Sequence, residues 1–272
     1  MDIKIILQFL LITFAMVFIL TLLSFALYRF DIEFVYRIWM DNTFIGIMPL
    51  NLFYALTPAI ASYIVLKRYG KVKNAKEWLK NVFHVKSSVF HYMFIAFGLT
   101  LYFLSHMIFS DFTDILSIRM FFFFVVLMFL NGGMEETGWR YILQPKLNKK
   151  YGFIVACIVT SLIWYIWHLP FFFIPTRQSD LVNVLSMYYV MILSQTVFYG
   201  TIIKIAGKSG IFLSILYHTM FNAIHNTIRF LQTWIGTIVA SVVIVVFSVI
   251  ILIVYNRKNQ AKHSIQELNK QQ

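Results

Sequence analysis

The sequence predicts an all-α polytopic membrane protein, with about eight transmembrane helices enclosing a polar intramembrane site. Three observations predict it. The 272 residues are 60% hydrophobic and only 12% charged, with a mean hydropathy of +0.76, whereas soluble domains carry about 25% charged residues. The apolar runs are of helix length rather than alternating, and only helices or closed barrels satisfy the backbone in lipid. The basic residues behind the net charge of +12 sit in short loops beside apolar runs. That is the membrane pattern and not a nucleic-acid face, so lipids are the expected partners and nucleic acid is not.

The first span runs from Ile3 to Tyr28. It lacks a strongly basic start and a clear small-residue cleavage site, and reads as retained rather than as a signal peptide. Residues 29–43 form a loop with Asp31, Glu33 and Asp41, and a second span covers about Phe44 to Leu66, kinked at Pro49 and Pro58. Lys67 to Lys86 is the most basic stretch. Within it Ala75, Trp78, Leu79 and Val82 recur at helical spacing, with Lys73, Lys76 and Lys80 on other faces. This suits a short helix on an anionic membrane surface, or equally a solvated loop helix. Further spans are expected over about Val89–Phe109, from Leu116, and over Phe153–Ile174, Leu181–Ile205, Ile211–Leu231 and Trp234–Tyr255, with a polar tail to Gln272. Three regions follow: N-terminal transmembrane helices with the basic amphipathic loop (1–115), a core (116–231), and the last transmembrane helix with its tail (232–272). Cys157, the single cysteine, excludes an internal disulfide and reads as a small packed hydrophobe.

Lysines and arginines follow spans two, four and six and fill the tail, whereas the other loops are neutral or acidic. The positive-inside rule then puts both termini in the cytoplasm, in the cell membrane.

The costly residues lie in the fourth span. The apolar run Met120–Leu130 leads into Asn131-Gly132-Gly133-Met134-Glu135-Glu136-Thr137-Gly138-Trp139-Arg140. Ionisable groups at membrane depth usually mark a site or a pair. On a helix Glu136 and Arg140 are i,i+4 with the acid N-terminal, the better orientation for pairing. Glu135 lies about 100° further round and is left for chemistry. A purely structural Glu-Arg staple is the alternative.

Other polar groups in apolar runs are His168, ending Trp164-Tyr165-Ile166-Trp167-His168, and His218, opening His218-Thr219-Met220-Phe221-Asn222. His218 and Asn222 share a helix face, and His225 falls near the same stripe. A lone intramembrane histidine is often a satisfied inter-helix hydrogen bond; several polar residues on three spans suit one polar cavity. Such a set supports hydrolysis. A carboxylate in apolar surroundings can take a proton from water. A histidine can orient that water or protonate the leaving amine. A second histidine and an asparagine amide can donate to a developing oxyanion. No serine or cysteine stands in a recognisable nucleophile elbow, which favours attack by water. Glu135, His168 and His218 could instead hold zinc, although no His-Glu-x-x-His helix makes that specific.

Glu135-Glu136-x-x-x-Arg140, the aromatic-x-x-x-His ending at His168, and His218-x-x-x-Asn222 resemble, in order, the three motifs of the CPBP (Abi) intramembrane proteases. That family includes CAAX prenyl endoproteases and bacteriocin-processing or bacteriocin-immunity proteins. The resemblance covers roughly residues 116–226. It implies that Glu135 is the catalytic glutamate, His168 its partner in activating water, His218 and Asn222 the oxyanion site, and Glu136 with Arg140 the supporting pair. Trp164 stands where the family usually has Phe, an exchange expected to bear on packing rather than on chemistry. The family is often called metalloproteases, but the residues suit a glutamate mechanism that requires no cofactor, and zinc is the alternative. The implied substrate is a membrane-associated peptide or protein, such as a bacteriocin or pheromone precursor. Two other readings stay open at this point: a non-catalytic immunity or scaffold protein that binds a bacteriocin or partner, and a proton-relay transporter. Against the latter stands the lack of repeat symmetry.

Overall fold

The computed structural model describes residues 2–29, 48–110, 112–172, 181–230 and 233–271. Nearly all of the acidic loop expected at 29–43, the start of the second expected span and the end of the fifth lie outside these residues. The helices are α1 (Asp2–Arg29), α2 (Met48–Ala55), α3 (Thr57–Arg68), α4 (Ala75–Val82), α5 (Val89–Ile108), α6 (Ile118–Leu130), α7 (Gln144–Tyr151), α8 (Phe153–Phe172), α9 (Leu181–Ala206), α10 (Gly210–Thr227) and α11 (Trp234–Gln271). The protein is an all-α polytopic membrane protein. Two short strands join antiparallel outside the helical core, β1 (Phe112–Ile115) and β2 (Ile228–Phe230), with Asp114 opposite Arg229.

Six helical stretches among the described residues are long and apolar enough to cross a membrane. The count differs from eight for two physical reasons. The stretch Leu185–Thr227 contains both expected spans, α9 and α10. They are joined by a tight turn in which Gly207 adopts φ +56°, a backbone region that favours glycine. The turn folds α10 back on α9, so that Tyr217 donates to Gln195 Oε1 at 2.7 Å. The span expected from Phe44 is instead interrupted. Helices α2 and α3 have 8 and 12 residues, each too short to cross alone. The interruption is one residue, Leu56, through which i→i−4 bonds continue on both sides, as expected of a kink, with Pro58 in the first turn of α3, where its missing N–H costs nothing.

Each long helix presents one stripe to protein and the rest to lipid. On α1, Ile5, Phe9, Thr13 and Val17 are buried at i+4 spacing, whereas Leu7, Leu11 and Phe18 are exposed. In the core, α5, α9 and α11 meet through Phe94, Phe198 and Phe247, with the Phe94 ring centroid 4.7 Å from Phe198 and 5.2 Å from Phe247. Helix α4 is capped by Asn74, which accepts from Glu77 N at 2.9 Å, while Glu77 accepts from Lys73 N at 2.7 Å. Its apolar residues Trp78 and Val82 are buried, and Trp78 donates to Ser62 on α3. Half of the apolar face that could have rested on lipid is therefore seated on protein, and Ala75 and Leu79 are left exposed beside the lysines.

Candidate active site

The site forms where the helix of α6 gives way. Asn131 ends it, and Gly132 and Gly133, both poor helix formers, follow. A 3₁₀ turn (Gly133–Glu135), one α-turn (Glu136–Gly138) and a π-turn (Trp139–Leu143) then lead into α7. Irregular backbone at membrane depth is tolerated where it is buried in protein or lines a cavity. Here it does both: Asn131 and Glu135 line a cavity of about 280 Å³, at the small end of the range for ligand sites.

Glu136 and Arg140 lie fully buried beneath that cavity. Arg140 Nε donates to Glu136 Oε2 at 2.7 Å. Its Nη1 donates to Gln144 Oε1 at 2.8 Å, and Gln144 Nε2 donates to the Thr196 carbonyl at 3.0 Å. The guanidinium carbon lies 4.3 Å from the Tyr199 ring centroid and 5.0 Å from that of Trp164, an arrangement favourable to a desolvated cation. The second oxygen of Glu136 lies 2.8 Å from His218 Nδ1, so one carboxylate engages both Arg140 and His218.

Glu135 faces the other way, into the cavity. Trp164 Nε1–H donates to its Oε2 at 3.0 Å. His168 Nδ1 lies 2.8 Å from the Trp164 carbonyl. A carbonyl only accepts, so Nδ1 carries the proton, and Nε2 is the acceptor of the neutral ring. His218 Nε2 and Asn222 Nδ2 converge on Gly132, where an added Cβ would lie 3.3 Å from the first and 2.6 Å from the second. Glycine is thus required by close approach rather than by its dihedrals.

The cavity wall includes Glu135, His168, His218 and Asn222 from three separate stretches of chain, together with His225. Glu136 and Arg140 support it from below. Gln144 and Trp164 were not foreseen as polar partners. Gln144 extends the i,i+4 stripe of Glu136 and Arg140, a readable signal; the bond from Trp164 to Glu135 crosses between helices and has none. Among the described residues no group of three His, Cys, Asp or Glu side chains is spaced to hold a metal ion. The alternative set Glu135, His168 and His218 is therefore not arranged as a zinc site among the described residues.

Residues 117–224 match the family model for type II CAAX prenyl endopeptidases, Rce1-like. The chain is thus similar over these residues to the Rce1-like endopeptidases. The matched residues contain all three motif stretches and, of the cavity wall named above, Glu135, His168, His218 and Asn222, with His225 one residue beyond the match. The chain is also 26% identical over 128 residues to a protein of Methanococcus maripaludis named CAAX prenyl protease 2. The similarity covers 43% of this chain and spans about half, 47%, of that relative. The CPBP match begins at the N-terminus of α6, so α1 to α5 are this chain's surroundings for the domain.

Proposed function

We propose that this protein is an intramembrane endopeptidase that hydrolyses a peptide bond in a membrane-associated peptide or protein. The observation that carries the reading is the convergence of Glu135, His168, His218 and Asn222 on one buried cavity within the matched domain.

Glu135 takes a proton from water as the water oxygen attacks the substrate carbonyl carbon. His168, anchored through Nδ1–H, accepts a hydrogen bond from the same water at Nε2. The carbonyl electrons move onto oxygen, and that oxyanion receives hydrogen bonds from Asn222 Nδ2–H and His218 Nε2–H. His218 donates from both nitrogens only as an imidazolium, and Glu136 supplies the balancing charge. Glu135, Glu136, Arg140 and His218 then sum to zero, which makes their burial affordable. Collapse of the tetrahedral intermediate expels the amine, which takes the proton held on Glu135. All atoms of water end in the two products, and the mechanism needs no cofactor.

Basic loops after the even-numbered spans support a cell-membrane orientation with both termini cytoplasmic. The site would then take an extended peptide from the cytoplasmic side. The relative's name refers to CAAX prenyl proteins; a lipid-anchored chain end or a bacteriocin or pheromone precursor fits the same site. The test is a comparison of new peptide termini in membranes from cells making wild-type protein or Glu135→Gln at matched levels. Termini are expected only with wild type, with the variant folded. A Glu135→Gln protein that still generates them would remove Glu135 as the base, and one that generates none yet rescues a deletion strain would replace the enzyme by a binding or immunity protein.

A further inference from the structure

Trp164 touches Glu135, His168, His218 and Arg140. It is 4% exposed. Its indole N–H donates to Glu135 Oε2 at 3.0 Å, and its main-chain carbonyl accepts from His168 Nδ1–H at 2.8 Å. Its ring meets the His218 ring at 5.6 Å and 80°, edge to face, and lies 5.0 Å from the Arg140 guanidinium carbon. We infer that Trp164 is the positioning residue that sets the Glu135 carboxylate against His168, a conclusion that rests on the hydrolase reading above.

The chemistry of the indole makes the role specific. Any residue at position 164 would offer His168 the same helix carbonyl, but only a side-chain donor can hold Glu135. An indole N–H donates and never accepts. It therefore holds one carboxylate oxygen, Oε2, in place. The terminal torsion of a glutamate is broad and roughly two-fold, so without that donor the oxygens exchange and the base loses its alignment. Misplacement by about 1 Å can cost about 100-fold in rate. The Trp for Phe exchange noted in the motif thus bears on chemistry as well as on packing, because Phe keeps an aromatic ring and has no N–H.

The test uses the full-length protein in lipid bilayers and a peptide carrying the cleavage site found in the membrane comparison. Two changes remove the donor: Trp164→Phe, and replacement of Trp164 by 3-benzothienylalanine, which keeps the bicyclic ring and puts sulfur in place of N–H. The expected result is a fall in kcat of about tenfold or more with KM and the thermal midpoint unchanged in the benzothienyl protein. A merely structural role would move the midpoint and spare kcat in that isostere. Should Trp164→Phe fold poorly, the benzothienyl protein decides alone. Wild-type turnover alongside an equally active benzothienyl protein overturns this inference and leaves the hydrolase reading standing. Wild-type protein that cuts nothing overturns both.

Discussion

Glu136 gives one carboxylate oxygen to Arg140 and the other to His218, at 2.7 and 2.8 Å. It is 0% exposed, as is Arg140. Burying a charge is costly, and removing one member of a buried pair leaves the other uncompensated, a loss of about 3–5 kcal/mol. Arg140→Ala is therefore expected to lower the thermal midpoint and the folded yield as well as activity, because Glu136, Gln144 and the faces of Trp164 and Tyr199 all lose their partner. Thermal unfolding in detergent and the monodisperse yield check it; a variant with wild-type yield and midpoint would remove the supporting role. At this scale the sequence was informative about Glu136 and Arg140, since i,i+4 neighbours meet wherever the helix forms. It was silent about Glu135 and Trp164, which are 29 residues apart and meet only because α8 packs beside the broken turn.

The decisive element is that broken turn between α6 and α7. Glu135 and Glu136 keep right-handed helical dihedrals, so about 100° still separates them, and one acid faces the cavity and the other the buried arginine. Gly132 allows α10 to close on it. In Gly132→Ala the new Cβ would lie 2.6 Å from Asn222 Nδ2 and 3.2 Å from the Met128 carbonyl. The asparagine must swing away. The expected outcome is a loss of kcat/KM of about tenfold or more, larger than the change in thermal stability. Steady-state kinetics beside a melting curve measures both, and unchanged turnover would separate Asn222 from the oxyanion. The interruption beside Pro58 was legible in the sequence as a kink. Sequence marks where proline disfavours helix, but packing decides whether the chain bends or stops.

The whole molecule holds the site between elements that the motifs never mention. Phe9 of α1 meets Trp139 edge-on at 5.5 Å, and Trp167 Nε1 donates to Thr57 Oγ1 at 3.2 Å. Tyr54 donates to the Trp167 carbonyl. The N-terminal helices thus brace the cavity from outside the matched domain. At this scale belongs the prediction about metals. Prolonged dialysis of the purified protein against a strong chelator should leave turnover unchanged, since the donors present are not grouped as a ligand set. Activity lost on chelation and restored by zinc would overturn the water-and-glutamate mechanism.

The sequence by itself determined the solvent of this protein and the chemistry available to it. Apolar runs of helix length require helices in lipid. Carboxylates, histidines and an asparagine within such runs are retained only with a partner or a task. Both conclusions depend on composition and local spacing, which the chain carries in one dimension. Only the tertiary structure decided that Glu136 meets His218 as well as Arg140 and that Glu135 lines the cavity. It also decided that Trp164 donates to Glu135, and that α4 lays Trp78 and Val82 on protein. These depend on where helices break and on which faces meet. Distant residues come together there through packing, and no local periodicity records it.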